Sequence, residues 1–170
     1  SGFRQTGQVL GHLPVFFGAA PTPPRLASPQ PLRPRMPEQL NVGLIGLGVM
    51  GQRMLARLAL HPRLRATRVW DADPTALART LAAYPGLQPA DSAEMLIATP
   101  GLHSLYIATP PAPHMALSNR AFDAGLAVFC EKPLTVDFDA ARRTIARIDA
   151  EGRRAAVNFS LASSPGLAAL

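Results

Sequence analysis

The chain has 170 residues, is 48% hydrophobic and 16% charged, and has a mean hydropathy of +0.11. That is enough for one ordinary domain, not two large ones, and too little charge for a wholly disordered chain. The net charge of +6 invites a nucleic-acid reading, but all of the 17 basic residues except Lys132 are arginines scattered among Ala and Leu, and the 6% aromatic content leaves few stacking platforms, so no nucleic-acid partner is expected.

Residues 1–39 are expected to be a disordered, proline-rich extension. The runs Pro21-Thr22-Pro23-Pro24 and Pro29-Gln30-Pro31-Leu32-Arg33-Pro34 cannot hold a helix or a central strand. Met36 is expected to be the natural start, with residues 1–35 upstream of it. A rival reading is a signal peptide built from Arg4, the apolar Val15-Phe16-Phe17 and Gly18-Ala19-Ala20. His12 and Pro14 interrupt that stretch, and no twin arginine precedes it.

From residue 40 the pattern alternates between strand and helix. Asn41–Gly46 reads as a strand and Met50–Leu60 as a helix. Thr67–Trp70 is a strand ending at Asp71. Pro74–Ala83 is helical, with Pro74 suited to a first turn. Gln88–Ala90 reads as a short edge strand. Asp91-Ser92-Ala93-Glu94 predicts a capping box, with Asp91 as the cap and Glu94 reaching back. His103–Ala108 is a strand, and Pro113–Ala124 is a helix closed by Gly125. Ala127–Cys130 is a strand, and Asp137–Glu151 is a helix closed by Gly152. Ala155–Phe159 is the last strand of residues 40–160, and residues 161–170 read as the start of a further helix. Alternation with such short connections predicts an α/β fold with a doubly wound parallel sheet. No run of 18 apolar residues is present, so neither a transmembrane helix nor a membrane partner is expected, and the location expected is cytoplasmic. The lone Cys130 excludes an intramolecular disulfide and reads as an inert small hydrophobe.

Gly46-Leu47-Gly48-Val49-Met50-Gly51 is a G-x-G-x-x-G between a predicted strand and a predicted helix, the context that dinucleotide binding requires. Gly46 permits the tight turn, Gly48 lets a pyrophosphate approach the backbone, and Gly51 lets helix and strand pack closely. The amides of Val49 and Met50 then open the helix toward the phosphates. The alternative is a glycine-rich turn without a ligand. Asp71 stands twenty residues after Gly51 at the end of the second strand, where a carboxylate bonds ribose hydroxyls and repels a 2′-phosphate. NAD is therefore preferred over NADP, although Asp73 could share the role and Arg68 could accept a phosphate. No metal site is expected.

Two loops follow later strands, at the carboxyl ends where ligands sit in such sheets. In Thr109-Pro110-Pro111-Ala112-Pro113-His114 the prolines stiffen the loop, and Thr109 and His114 offer polar groups near the nicotinamide path. The plainer alternative is a rigid loop feeding a helix. Glu131-Lys132-Pro133 follows the strand ending at Cys130. Lysine can exchange its proton where arginine cannot, and retention of one lysine amid so many arginines suits a chemical role. The alternative is a surface lysine beside a glutamate. Pro133 permits a cis bond with Lys132.

Taken together, the glycine loop, Asp71, the Thr109–His114 loop and Glu131-Lys132-Pro133 resemble the glucose–fructose oxidoreductase / inositol dehydrogenase (Gfo/Idh/MocA) family over about residues 40–170. The resemblance implies a Rossmann-like domain of an NAD(P)-dependent oxidoreductase acting on a sugar, polyol or related small molecule. It implies that Lys132 positions and polarises the substrate oxygen, that Thr109–His114 lines the cofactor site, and that Asn158 lies near the nicotinamide. It further implies a second, mainly antiparallel α/β domain carrying a proton-transfer histidine, and association of the parent protein as a homo-oligomer through that sheet. The chain is expected to be a fragment that ends at Leu170 before that domain, inactive alone. The open alternatives are a non-catalytic nucleotide-binding module, an inert gene fragment, and a hydroxyisobutyrate-type hydroxyacid dehydrogenase. The last would usually place Asn-Arg after the second strand, where Asp71 stands here.

Overall fold

A computed structural model describes residues 39–159. Six parallel strands form one sheet in the order β3-β2-β1-β4-β5-β6. They are β1 (Leu40–Ile45), β2 (Leu64–Trp70), β3 (Gln88–Pro89), β4 (Ser104–Ile107), β5 (Ala127–Glu131) and β6 (Ala155–Asn158). The helices between them are α1 (Val49–Leu58), α2 (Pro74–Ala83), α3 (Ala93–Ile97), α4 (His114–Asp123) and α5 (Phe138–Glu151). The expected doubly wound parallel sheet is therefore present. The expected extension over 1–39, apart from Gln39, and the further helix over 161–170 lie outside the described residues.

Alternation along each strand sends successive side chains to opposite faces, and two separate cores result. Val42, Leu44, Val69 and Tyr106 pack with Leu55 and Leu58 of α1 and with Leu77 and Leu81 of α2. Ile45, Leu105, Ile107, Val128 and Cys130 pack with α3 and α4, including Leu96 and Phe122. Helices thus cover both faces, as a parallel sheet requires.

Winding reverses between β1 and β4, which are direct neighbours in register, Ile45 opposite Ile107. A crevice opens between the carboxyl ends of two strands whose connections leave in opposite directions. The glycine loop and the Thr109 loop both emerge there.

Local signals set most element ends. Asp73 caps α2 by accepting from the Thr75 amide at 2.9 Å. Asp137 caps α5 by accepting from the Asp139 and Ala140 amides at 3.0 and 2.9 Å. Gly152 closes α5 with φ +62°, a conformation that glycine adopts without a Cβ clash. Several ends shift by one or two residues from expectation, and two differences have an identifiable cause. The α3 cap is Ser92, not Asp91: Ser92 has the extended backbone of a cap, and its Oγ accepts from the Met95 amide at 3.1 Å. Glu94 consequently falls one position too early to reach back, and it pairs with Arg120 of α4 instead. Strand β2 begins at Leu64 rather than Thr67, because Leu64, Arg65 and Ala66 lie opposite Leu40, Asn41 and Val42 of β1. No helix among the described residues is long and apolar enough to cross a membrane.

Candidate dinucleotide site at the sheet switch point

The glycine loop leaves β1 against the end of β4. Gly46 has φ +94°, and a Cβ there would lie 2.5 Å from the Ala108 carbonyl carbon and 2.7 Å from the Thr109 nitrogen. A Cβ on Gly51 would collide with the Gly46 carbonyl oxygen. Gly48 is different: a Cβ there would meet nothing within 4 Å. Two glycines are thus demanded by backbone packing, and the middle one faces open space. It also begins α1, whose first turn has no side-chain cap and no acidic residue. Val49, the first helical residue, is exposed, and Met50 beside it is half-buried. Uncapped amides, the positive end of the helix dipole and room at Gly48 are the conditions a phosphate group needs at a helix start.

Asp71 reaches this loop directly. Its Oδ2 accepts from the Leu47 amide at 2.6 Å, and its Oδ1 accepts from the Asp73 amide at 2.8 Å. The other side of the same loop residue is held by Gln52, whose Nε2 donates to the Leu47 carbonyl at 3.1 Å and to Thr80 Oγ1 at 2.7 Å. The Thr80 hydroxyl in turn donates to the Ala76 carbonyl inside α2. Gln52 was not visible as a site residue in the sequence. Its one cue was its place next to Gly51, on the turn of α1 beneath the loop.

Thr109, Pro110 and Pro111 follow β4. The Thr109 Oγ1 is a buried side-chain oxygen without a partner. Such an orphan is unusual, and here it stands beside Gly46. His114 is fully buried rather than presented on the loop surface. Its Nε2 lies 2.9 Å from the Thr109 carbonyl and its Nδ1 3.2 Å from the Leu134 carbonyl. It therefore links the Thr109 loop to the segment after Lys132. His114→Ala removes a fully buried ring and the donor it gives to one of these carbonyls, so a loss of about 2–3 kcal/mol is expected in urea denaturation, with His114→Gln recovering part of it.

Glu131 ends β5 and is 3% exposed. Its Oε1 accepts from the Tyr106 hydroxyl at 2.5 Å and from Asn158 Nδ2 at 2.6 Å. Its Oε2 accepts from the Lys132 amide at 3.2 Å. The Glu131 and Asn158 carboxyl and amide groups thus face each other inside the fold. Lys132 is exposed, and its bond to Pro133 is cis. Tyr106 was missed in the sequence, where it reads as one apolar position of a buried strand.

Two buried acids nearby are held neutral. Burial, and then the charge of Glu131, push the Cys130 thiol up to about 12 from its ordinary 9.0. Burial, followed by the hydrogen bond and charge of Glu131, raises the Tyr106 phenol. In the unfolded chain the thiol ionises near its ordinary value, so its contribution to folding is intact below about pH 9 and is lost as pH climbs toward 12. Folding stability is expected to fall over that window, and Cys130→Ala to flatten the fall. Native Cys130 should also resist thiol reagents at about pH 8 and react once the chain is unfolded.

Known proteins resemble this chain in sequence and in fold. Residues 40–159 match the family model described as the Gfo/Idh/MocA oxidoreductase family, NAD-binding Rossmann fold. Inositol 2-dehydrogenase 4 of Saccharopolyspora erythraea is 33% identical over 119 residues, covering 68% of this chain and 35% of that protein. An inositol 2-dehydrogenase of Pseudomonas fluorescens is 33% identical over 123 residues, with the same two coverages. Among solved structures, GenD2 from gentamicin A biosynthesis in complex with NAD is 28% identical with a TM-score of 0.64, covering 75% of this chain and 36% of that one. A candidate myo-inositol dehydrogenase from Sinorhizobium meliloti 1021 is 27% identical with a TM-score of 0.72, covering 77% and 39%. The chain spans about 35% of the length of the curated relatives named. A glycine loop at the switch point, an acid at the end of β2 and a Glu-Lys-Pro at the end of β5 accompany a family match over 40–159, and the chain belongs to the Gfo/Idh/MocA oxidoreductase family, of which it carries the NAD-binding Rossmann domain.

Proposed function

We propose that this chain is the dinucleotide-binding part of an NAD-preferring oxidoreductase acting on a sugar, polyol or related hydroxylated small molecule. When bound, the nicotinamide supplies hydride donation or acceptance at its C4. The cradle of Gly46, Gly48, Val49, Met50 and Gly51 takes the pyrophosphate through backbone amides. Asp71 accepts the ribose hydroxyls with the lone pairs left over from its two backbone contacts, and its charge disfavours a 2′-phosphate. Thr109, Pro110 and Pro111 line the nicotinamide side. Lys132 donates from its ammonium to the substrate oxygen, which favours charge building there during hydride transfer. His114, Glu131 and Asn158 act from inside, by holding the two loops.

The observation that carries this reading is the open space at Gly48 over an uncapped helix start, with an anchored carboxylate, Asp71, on the next strand. The relatives named as inositol 2-dehydrogenases support the polyol class. Proton transfer falls to a group outside the described residues, since His61 and His103 accept from backbone amides and His114 is buried between carbonyls.

Titration calorimetry of the 170-residue chain with NAD and with NADP tests the reading. Weak NAD binding, weaker NADP binding and no turnover of polyols are expected. Equal or tighter NADP binding removes the preference, and no heat with either nucleotide removes the binding site itself. NAD-linked turnover of a polyol by this chain alone would overturn the placement of the proton-transfer group.

A further inference from the structure

We propose that Tyr106 is a positioning residue for Lys132, acting through the carboxylate of Glu131 with Asn158 as its second support. The argument begins with strand register. Tyr106 lies opposite Phe129, and Glu131 lies opposite Asn158. Positions two apart share a face of a strand, so Phe129, Glu131, Tyr106 and Asn158 all stand on one face. The Tyr106 ring packs on Phe129 at a centroid distance of 5.5 Å. This lays the phenol along the face, and its hydroxyl reaches the carboxylate one step beyond, a diagonal that an aromatic side chain spans.

A carboxylate that is 3% exposed is costly unless its oxygens are bonded. No Lys or Arg of the described residues pairs with Glu131. Three donors from three strands satisfy it instead: the Tyr106 hydroxyl from β4, the Lys132 amide directly after β5 and the Asn158 amide from β6. An apolar side chain would fill this position at less cost, so the carboxylate is there for what it holds. One of those things is the peptide N–H from which Lys132 departs. On the far side of Lys132-Pro133, the Leu134 carbonyl packs 3.2 Å from Nδ1 of the fully buried His114. The lysine therefore sits between two fixed points, both anchored in β4 or in the loop that follows it. The phenol serves as a donor only, since burial and Glu131 both keep its proton on. This inference rests on Lys132 having the role proposed above, but the contact itself exists whether or not a nucleotide binds.

The sequence supplies its own probe. Lys132 is the sole lysine, so the full chain labelled with 15N-lysine gives one backbone amide signal, that of the hydrogen bond in question. In the wild type this amide is expected to exchange slowly with solvent. Tyr106→Phe keeps the ring and removes the donor. It should move the signal and speed exchange by about tenfold, the factor for weakening one hydrogen bond to a charged group. Asn158→Ala, on the edge strand, should do the same to a smaller extent and covers the case in which Tyr106→Phe fails to fold. Phe129→Leu disturbs the packing of Tyr106 without removing a donor, so it should lower the melting temperature and leave the exchange rate within about twofold of wild type. A Lys132 amide unmoved in folded Tyr106→Phe, or in Asn158→Ala where the first does not fold, overturns the proposal, as does an equal response to Phe129→Leu. Adding NAD to the same sample separates the two ideas. No shift with NAD counts against the nucleotide reading, while the exchange series still decides the role of Tyr106.

Discussion

Gly51→Ala is expected to cost about 3 kcal/mol and to lower the melting temperature by roughly 10 °C, at the upper end of what overpacking does. The added Cβ would overlap the Gly46 carbonyl oxygen, which is main chain and has no rotamer to change. Either α1 lifts from the sheet or the turn at Gly46 opens. The second path is blocked, because Gly46 is itself pressed on the Ala108–Thr109 backbone. Lifting α1 exposes Leu55 and Leu58, which are 2% and 6% exposed in the core beneath it. Gly48→Ala is the matched control: a Cβ there has open space, so stability should change by less than about 1 kcal/mol while nucleotide binding is lost. Thermal unfolding with and without NAD distinguishes the two variants. Equal melting temperatures for Gly51→Ala and wild type would refute the packing argument.

Asp71→Ser is expected to abolish detectable NAD binding without gaining NADP. The usual expectation for such a change is a switch of preference, since removal of the acid relieves repulsion of a 2′-phosphate. Here the same carboxylate holds the Leu47 amide at 2.6 Å and the Asp73 amide at 2.8 Å. Serine is too short to serve both, and the phosphate loop loses an anchor along with the acid. Charge-assisted bonds of this kind contribute about 1.5–3 kcal/mol, so a drop of about 2 kcal/mol in stability should accompany the loss. Gln52 still tethers the Leu47 carbonyl to α2, which keeps the loop from unfolding altogether. Calorimetry with both nucleotides and denaturation of the apo protein check the two halves. A clean gain of NADP binding with unchanged stability would show that Asp71 serves only the ribose.

Much of the molecule was legible in residue order, and the reasons are local. Asp73-Pro74, Asp137 and Gly152 set helix ends through contacts within four residues, so spacing alone announces them. The glycine loop, Asp71 and Lys132 could be singled out for the same reason: each is a residue type whose chemistry is peculiar at its own position, and the alternation of strands and helices already implied that all three lie at carboxyl ends. Failures of the local reading were also local. Asp91 and Ser92 are both good caps, and only the backbone conformation at Ser92 decided between them. Arg65 hid the first half of β2, because a strand segment with a charged residue at its centre has no apolar run to announce it until β1 is laid beside it. What tertiary structure alone decided is which way the site residues face. Asp71 turns to Leu47 across 24 positions, Tyr106 to Glu131 across 25, Asn158 to Glu131 across 27 and His114 to Leu134 across 20. These partners meet only once strand register and the direction of each crossover are set. Residue types therefore determined what chemistry this domain can hold, whereas the sheet determined which side chains reach the loops at its switch point and which stay inside to hold them.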